Sequence, residues 1–181
     1  MLFDLYFSSV KLNMSIQIYP EMMRLDLLRR LRPPHFIDFF TQHGGARLNG
    51  TCEWSTRYPN INEWLHSNTI ETSRLWLHGG PGTGKSVLAS YLLEKKKIKR
   101  SQDEVVLYAF CQAQGNVKAT ASSIVLGFLR QCLDDHWDII DRNIIRDIRN
   151  LIFSEREDYP FPLAKLEPHL LRILGLFAKS W

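Results

Sequence analysis

Apolar residues recur along the chain at helical spacing in several places, and these stretches predict most of its elements. Met23, Leu27, Leu28 and Leu31 form the stripe of a helix predicted from Pro20 to about Leu31, with Pro33-Pro34 as its stop. Arg24, Arg29, Arg30 and Arg32 lie mostly opposite, which reads as a solvated face rather than an anion patch, since no aromatics are interleaved. A shorter helix is predicted over His35–His43, closed by Gly44-Gly45. Another begins near Pro59, with Ile61, Trp64 and Leu65 facing inward, and core packing is the expectation for Trp54 and Trp64. Thr120 is placed to cap a helix whose Val125, Phe128, Leu129, Cys132 and Leu133 form a clean stripe. Trp137, Ile140, Ile144, Ile148, Leu151 and Ile152 repeat the pattern in a second helix. Leu166, Leu170, Leu174 and Phe177 line a last one, with Pro168 near its start.

Two runs are apolar without helical period. Leu75-Trp76-Leu77-His78 and Val105–Cys111 suit strands, the second of a kind covered on both faces. Between them lies the stretch with chemistry written into it, Gly79-Gly80-Pro81-Gly82-Thr83-Gly84-Lys85-Ser86, followed by the apolar-periodic run Val87–Leu93. Strand, glycine-dense turn ending in Gly-Lys-Ser, and helix make up the phosphate-loop (P-loop) pattern, with every fixed position filled and both flanks correct. Glycines let the backbone approach a polyphosphate closely. Successive N–H groups around Gly82, Gly84, Lys85 and Ser86 would converge on phosphate oxygens at a helix N-terminus. Lys85 would reach the β- and γ-phosphates, and the Ser86 hydroxyl would ligate Mg²⁺. The predicted site is therefore Gly79, Gly80, Pro81, Gly82, Thr83, Gly84, Lys85, Ser86 and Val87, its ligand ATP or GTP with Mg²⁺. The fold class expected is α/β, a partial P-loop parallel sheet with two recognisable strands. Residues 1–48 would be a helical lead-in, and residues 49–181 the N-terminal part of the nucleotide-binding domain, with a helical C-terminal segment.

Composition narrows the classes without choosing among them. Of the 181 residues, 45% are hydrophobic and 23% charged, which fits a globular domain. The net charge of +4 is too diffuse to argue for nucleic acid. No apolar run reaches the roughly 18 residues of a membrane helix. Met1–Val10 is apolar but contains Asp4 and lacks a basic start, so it does not read as a signal peptide, and a cytoplasmic location is expected. Cys52, Cys111 and Cys132 have neither disulfide nor zinc spacing and read as free thiols. The run Lys95-Lys96-Lys97-Ile98-Lys99-Arg100 reads as a solvated, dipole-complementing helix end.

A triphosphatase also needs an apolar strand ending in an acid that holds the metal. Leu133-Asp134-Asp135 is the one near match, but Arg130 and Gln131 precede it, and it reads better as the end of a helix. Gly50-Thr51-Cys52-Glu53-Trp54, then Trp64-Leu65, then Leu75–Ala89 resembles the start of the NACHT-type NTPase domain. The closest version is that of fungal NOD-like receptors in the STAND class, catalogued as a nephrocystin-like N-terminal domain. The resemblance is close over about Asp38–Leu133 and looser elsewhere. It implies a signal-transduction ATPase of fungal innate immunity that switches by nucleotide exchange and self-association, so the expected partners are further copies of the chain or other NACHT-type proteins. It also implies a domain cut short before its acidic strand, binding nucleotide but hydrolysing it poorly.

Two alternatives remain open at this level. One is a non-catalytic interaction module that keeps the loop as scaffold. The other is a nucleotide kinase, which would share the Gly-Gly-Pro-Gly-x-Gly-Lys loop but carry it near its N-terminus and need an arginine-bearing lid.

Overall fold

A computed structural model describes residues 21–31, 47–66, 74–99, 104–111, 120–154 and 161–178. The helix expected over His35–His43 lies outside these residues. In chain order the helices are α1 (residues 21–30), α2 (Pro59–His66), α3 (Lys85–Lys99), α4 (Ala121–Asp135), α5 (Arg142–Ser154) and α6 (Leu163–Ala178). A single 3-10 turn spans Glu53–Arg57. The chain divides into two compact units, one of Met1–Pro34 with Cys111–Trp181 and one of His35–Phe110.

The expected parallel sheet is not found among the described residues. Among the described residues every regular element is helical, and neither Leu75–His78 nor Val105–Cys111 is a strand. Apolar sequence reports which side chains want cover, but a strand exists only through ladder hydrogen bonds to a neighbour. The side chains at 75–77 explain the misreading. Leu75 and Leu77 pack on the core whereas Trp76 is 85% exposed, an alternation unlike the two-sided burial of a parallel strand.

In the first unit, α6 packs against both α4 and α5. Its core is built from Leu126, Leu129, Leu133, Ile148, Leu166 and Ile173, all nearly or wholly buried. Val125 and Phe128, predicted for the inner stripe of α4, are only half-buried, because the helix turns Leu126 and Gly127 inward instead. The start of α4 is fixed by a capping box. Ser123 N–H donates to Thr120 Oγ1 at 3.2 Å, and Thr120 N–H donates to Ser123 Oγ at 2.9 Å, so two end donors are satisfied reciprocally. Pro168 stands inside α6, in its second turn, and lacks the N–H that would complete the ladder there.

Two arginines tie α1 to α4. The Arg130 guanidinium donates to the carbonyls of Leu28 and Leu31, covering acceptors that a helix end leaves open. Arg24 donates to the Asp134 carbonyl at 2.9 Å and pairs with its carboxylate at 3.0 Å, placing a cation at the C-terminus of α4. Arg30 lies over the Phe153 ring at 4.1 Å. Arg24 is therefore a docking group, while Arg29 and Arg30 are exposed, as the solvated-face reading expects. Cys132, fully buried on α4, has its thiol pushed up to about 12 by burial, with the Asp135 charge adding to it.

The second unit holds a smaller core of Cys52, Ile61, Leu65, Tyr91 and Leu92, with Trp64, Leu75, Leu77, Val87 and Leu88 packed against it. The basic run at the end of α3 is engaged within the unit. Lys96 donates to the Leu65 carbonyl at 3.3 Å, capping the end of α2, and Lys97 lies over the Tyr108 ring at 4.6 Å.

Candidate functional site

The candidate site lies in the second unit. Gly82 and Gly84 hold φ of 74° and 80°, left-handed values that side-chain-bearing residues rarely adopt. The Gly84 carbonyl accepts from Leu88 N–H at 2.9 Å, so Gly84 is the residue from which α3 starts. The first N–H groups of α3, those of Lys85, Ser86 and Val87, have no acceptor within their own helix by α-helical geometry. They carry the positive end of the macrodipole. Space over Gly80, Gly82 and Gly84 is open, with nothing within 4 Å of where a Cβ would stand.

Lys85 folds back over this turn. Its Nζ donates to the Gly80 carbonyl at 2.5 Å and stands 3.4 Å from Thr83 Oγ1, while the Thr83 hydroxyl donates to the same carbonyl at 2.9 Å. The ammonium thus closes a ring with the glycine-dense backbone, at the mouth of the turn rather than away from it. Pro81, Gly82, Thr83, Gly84 and Ser86 are exposed, and Lys85 and Val87 are half-buried.

Beside the turn opens a cleft of about 870 Å³, large enough for a nucleotide-sized ligand. The glycine turn contributes Gly79, Thr83, Gly84 and Lys85 to its lining, and the 48–58 segment contributes Leu48, Thr51, Trp54 and Tyr58. Trp54 and Tyr58 are 53% and 58% exposed and meet edge to face, with ring centroids 5.6 Å apart. Trp54 is therefore not the core residue its sequence context suggested, whereas Trp64 does pack on the core. Among the described residues that line the cleft, the charged ones are Arg47 and Lys85, and no carboxylate is present. That sign suits an anionic ligand.

A family model described as Nephrocystin 3, N-terminal, matches residues 50–177. The chain belongs to this family. No curated protein and no solved structure matches it. In this nephrocystin 3 N-terminal-type chain, the matched span takes in the turn at Gly79–Ser86 as well as the wall residues Thr51, Trp54 and Tyr58. Of the residues predicted from sequence, Gly79, Thr83, Gly84, Lys85 and Val87 all line the cleft, and Gly80 anchors Lys85. Gly80, Pro81, Gly82 and Ser86 belong to the same turn but are not among the lining residues. Asp134 lies in the other unit, at the end of α4, and is held by Arg24. Arg47 was invisible to sequence reasoning, since its partners are identified only by folding. No helix among the described residues is long and apolar enough to cross a membrane.

Proposed function

We propose that this chain binds a nucleoside triphosphate, ATP or GTP, in the cleft beside Gly79–Ser86. The triphosphate would lie against the N-terminus of α3. The single observation that carries this reading is Lys85 closing over a left-handed glycine turn at the start of that helix, with open space above the glycines. An anion arriving there gains the ammonium and the first-turn N–H groups together. Lys85 would exchange its Gly80 carbonyl for phosphate oxygens, a charge-assisted and therefore stronger partner. Ser86, exposed on the first turn of α3, would offer a hydroxyl to Mg²⁺, with the ion otherwise held by phosphate oxygens and water.

Binding rather than turnover is the expected activity. No carboxylate is found among the described residues lining the cleft, so the acid with which a triphosphatase holds its metal is not among them. The role that best suits such a module is the nucleotide-sensing part of a NACHT-type signalling protein, self-associating or pairing with similar domains. Equilibrium titration with fluorescent ATP and GTP analogues, with and without Mg²⁺ and alongside phosphate release, tests this. Saturable binding strengthened by Mg²⁺ with little turnover supports the reading, and absence of binding to either nucleotide overturns it.

A second reading, an interaction module without nucleotide, is favoured by Trp76, whose ring stands 85% exposed beside the turn. Self-association that persists without nucleotide, and that Trp76→Ala abolishes, would favour it.

A further inference from the structure

Besides the glycine turn, the cleft is lined by a strained segment that contributes Leu48, Thr51, Cys52 and Trp54. Leu48 and Thr51 close a turn, the Thr51 N–H and hydroxyl both donating to the Leu48 carbonyl, at 3.1 and 2.6 Å. Cys52 then takes φ 69° and ψ −10°, the sole described residue other than glycine with positive φ. A left-handed Cβ-bearing residue costs about 1–2 kcal/mol and persists only where its surroundings determine it. Some of that determination is local. Ser55, fully buried, donates its hydroxyl to the Cys52 carbonyl at 2.6 Å. Cys52 is also packed in the core of the unit, and the Thr51 carbonyl before it is held by a side chain.

Arg47 spans from this segment to the helix that begins at the glycine turn. Its Nη1 donates to the Thr51 carbonyl at 3.0 Å. Its Nη2 stands 3.8 Å from Glu94 Oε2, and its Cζ lies 4.9 Å from the Tyr91 ring centroid. Tyr91 is buried in the core, and both Tyr91 and Glu94 belong to α3. The Arg47 side chain is only 19% exposed and its ring partner Tyr91 is buried, whereas Glu94 is half-exposed, so the ion pair is the wetter of its contacts. A guanidinium can make all three at once because its donors are held in a planar fork and its face stacks on rings, which an ammonium cannot match.

We infer that Arg47 is the positioning residue for the nucleoside half of the ligand: it sets the spacing between the Leu48–Trp54 wall and the α3 helix whose first turn receives the phosphates. This rests on the nucleotide reading of the cleft and adds to it which half of the ligand meets which wall. Leu48, Trp54 and Tyr58 present exposed apolar surface to the cleft, suited to a base and sugar. The glycine turn and Lys85, which take the polyphosphate, do not touch Arg47 through any of its three contacts. Loss of the guanidinium therefore acts mainly on the nucleoside wall, and reaches the phosphate end only through the one positive charge it removes from the cleft lining.

The experiment compares ATP with inorganic triphosphate on the full chain, for wild type, Arg47→Ala, Arg47→Lys and Glu94→Gln. Circular dichroism serves to confirm unchanged helix content. The expected result is about a tenfold loss of ATP affinity in Arg47→Ala, with triphosphate affinity held within about twofold. Arg47→Lys and Glu94→Gln should fall between wild type and Arg47→Ala. Equal losses for both ligands would overturn the inference, because Arg47 would then be contacting phosphate directly. Unchanged affinity for both would overturn it as well. Triphosphate binding by wild type without any preference for ATP would overturn the inference while leaving the phosphate site standing. Failure of wild type to bind either would remove the nucleotide reading itself, and this inference with it.

Discussion

Lys85 Nζ sits 2.5 Å from the Gly80 carbonyl oxygen, so the ammonium that would grip a phosphate is already held over the turn. The helix that follows delivers its free N–H groups to the same place. The proposed phosphate site is this one short return of the backbone, and its shape depends on two left-handed glycines.

Gly84 tests that shape. A Cβ at this position would meet no atom within 4 Å, so Gly84→Ala acts through the backbone alone, at φ 80°. Urea unfolding followed by circular dichroism should show a loss of about 1–2 kcal/mol, together with weaker triphosphate binding. Gly80→Ala, where space is equally open and φ is not left-handed, should leave stability nearly unchanged.

Thr120 tests the start of α4. Its hydroxyl accepts from Ser123 N–H, so Thr120→Ala leaves an end donor without its partner. The expected cost is about 1 kcal/mol in the unfolding of the unit that contains α4, with nucleotide affinity unchanged, since that unit does not contain the cleft residues.

Cys132 gives a pH dependence with a definite sign. Its thiol is pushed from 9.0 to about 12, chiefly by burial. The folded state then keeps a proton that the unfolded state releases in the window between those values. Stability from this group is complete below about pH 9 and declines as pH rises toward 12. Cys132→Ala should flatten the alkaline limb of a stability-versus-pH curve while lowering stability at neutral pH through the cavity it leaves. A thiol-specific reagent at pH 8 should label exposed Cys111 in the native chain well before Cys132.

The helices were legible because their signals are local. Thr120, the stripe through Leu129, Cys132 and Leu133, and the stripe of Ile144, Ile148 and Ile152 all follow from spacing along a single element. The turn at Gly79–Ser86 was legible for the same reason, since its residues are consecutive. The sheet was misread because a strand is defined by its partner, and Leu75–His78 and Val105–Cys111 carry only the side-chain half of that information. Trp54 was misread because residue type does not say which face of the 3-10 turn at Glu53–Arg57 is covered, and there Ser55 is buried while Trp54 is exposed. Arg24, Arg30 and Arg47 look like solvated cations in sequence. Their partners Asp134, Phe153 and Glu94 stand 110, 123 and 47 residues away, distances over which sequence pattern says nothing.

Isothermal titration of Mg-ATP into wild type and Lys85→Ala, with helix content matched by circular dichroism, addresses the phosphate site most directly. Saturable binding by wild type that falls at least about a hundredfold in the variant, a loss of about 2.7 kcal/mol, is the result predicted. Equal affinity in the two proteins, or no heat of binding in either, would contradict it.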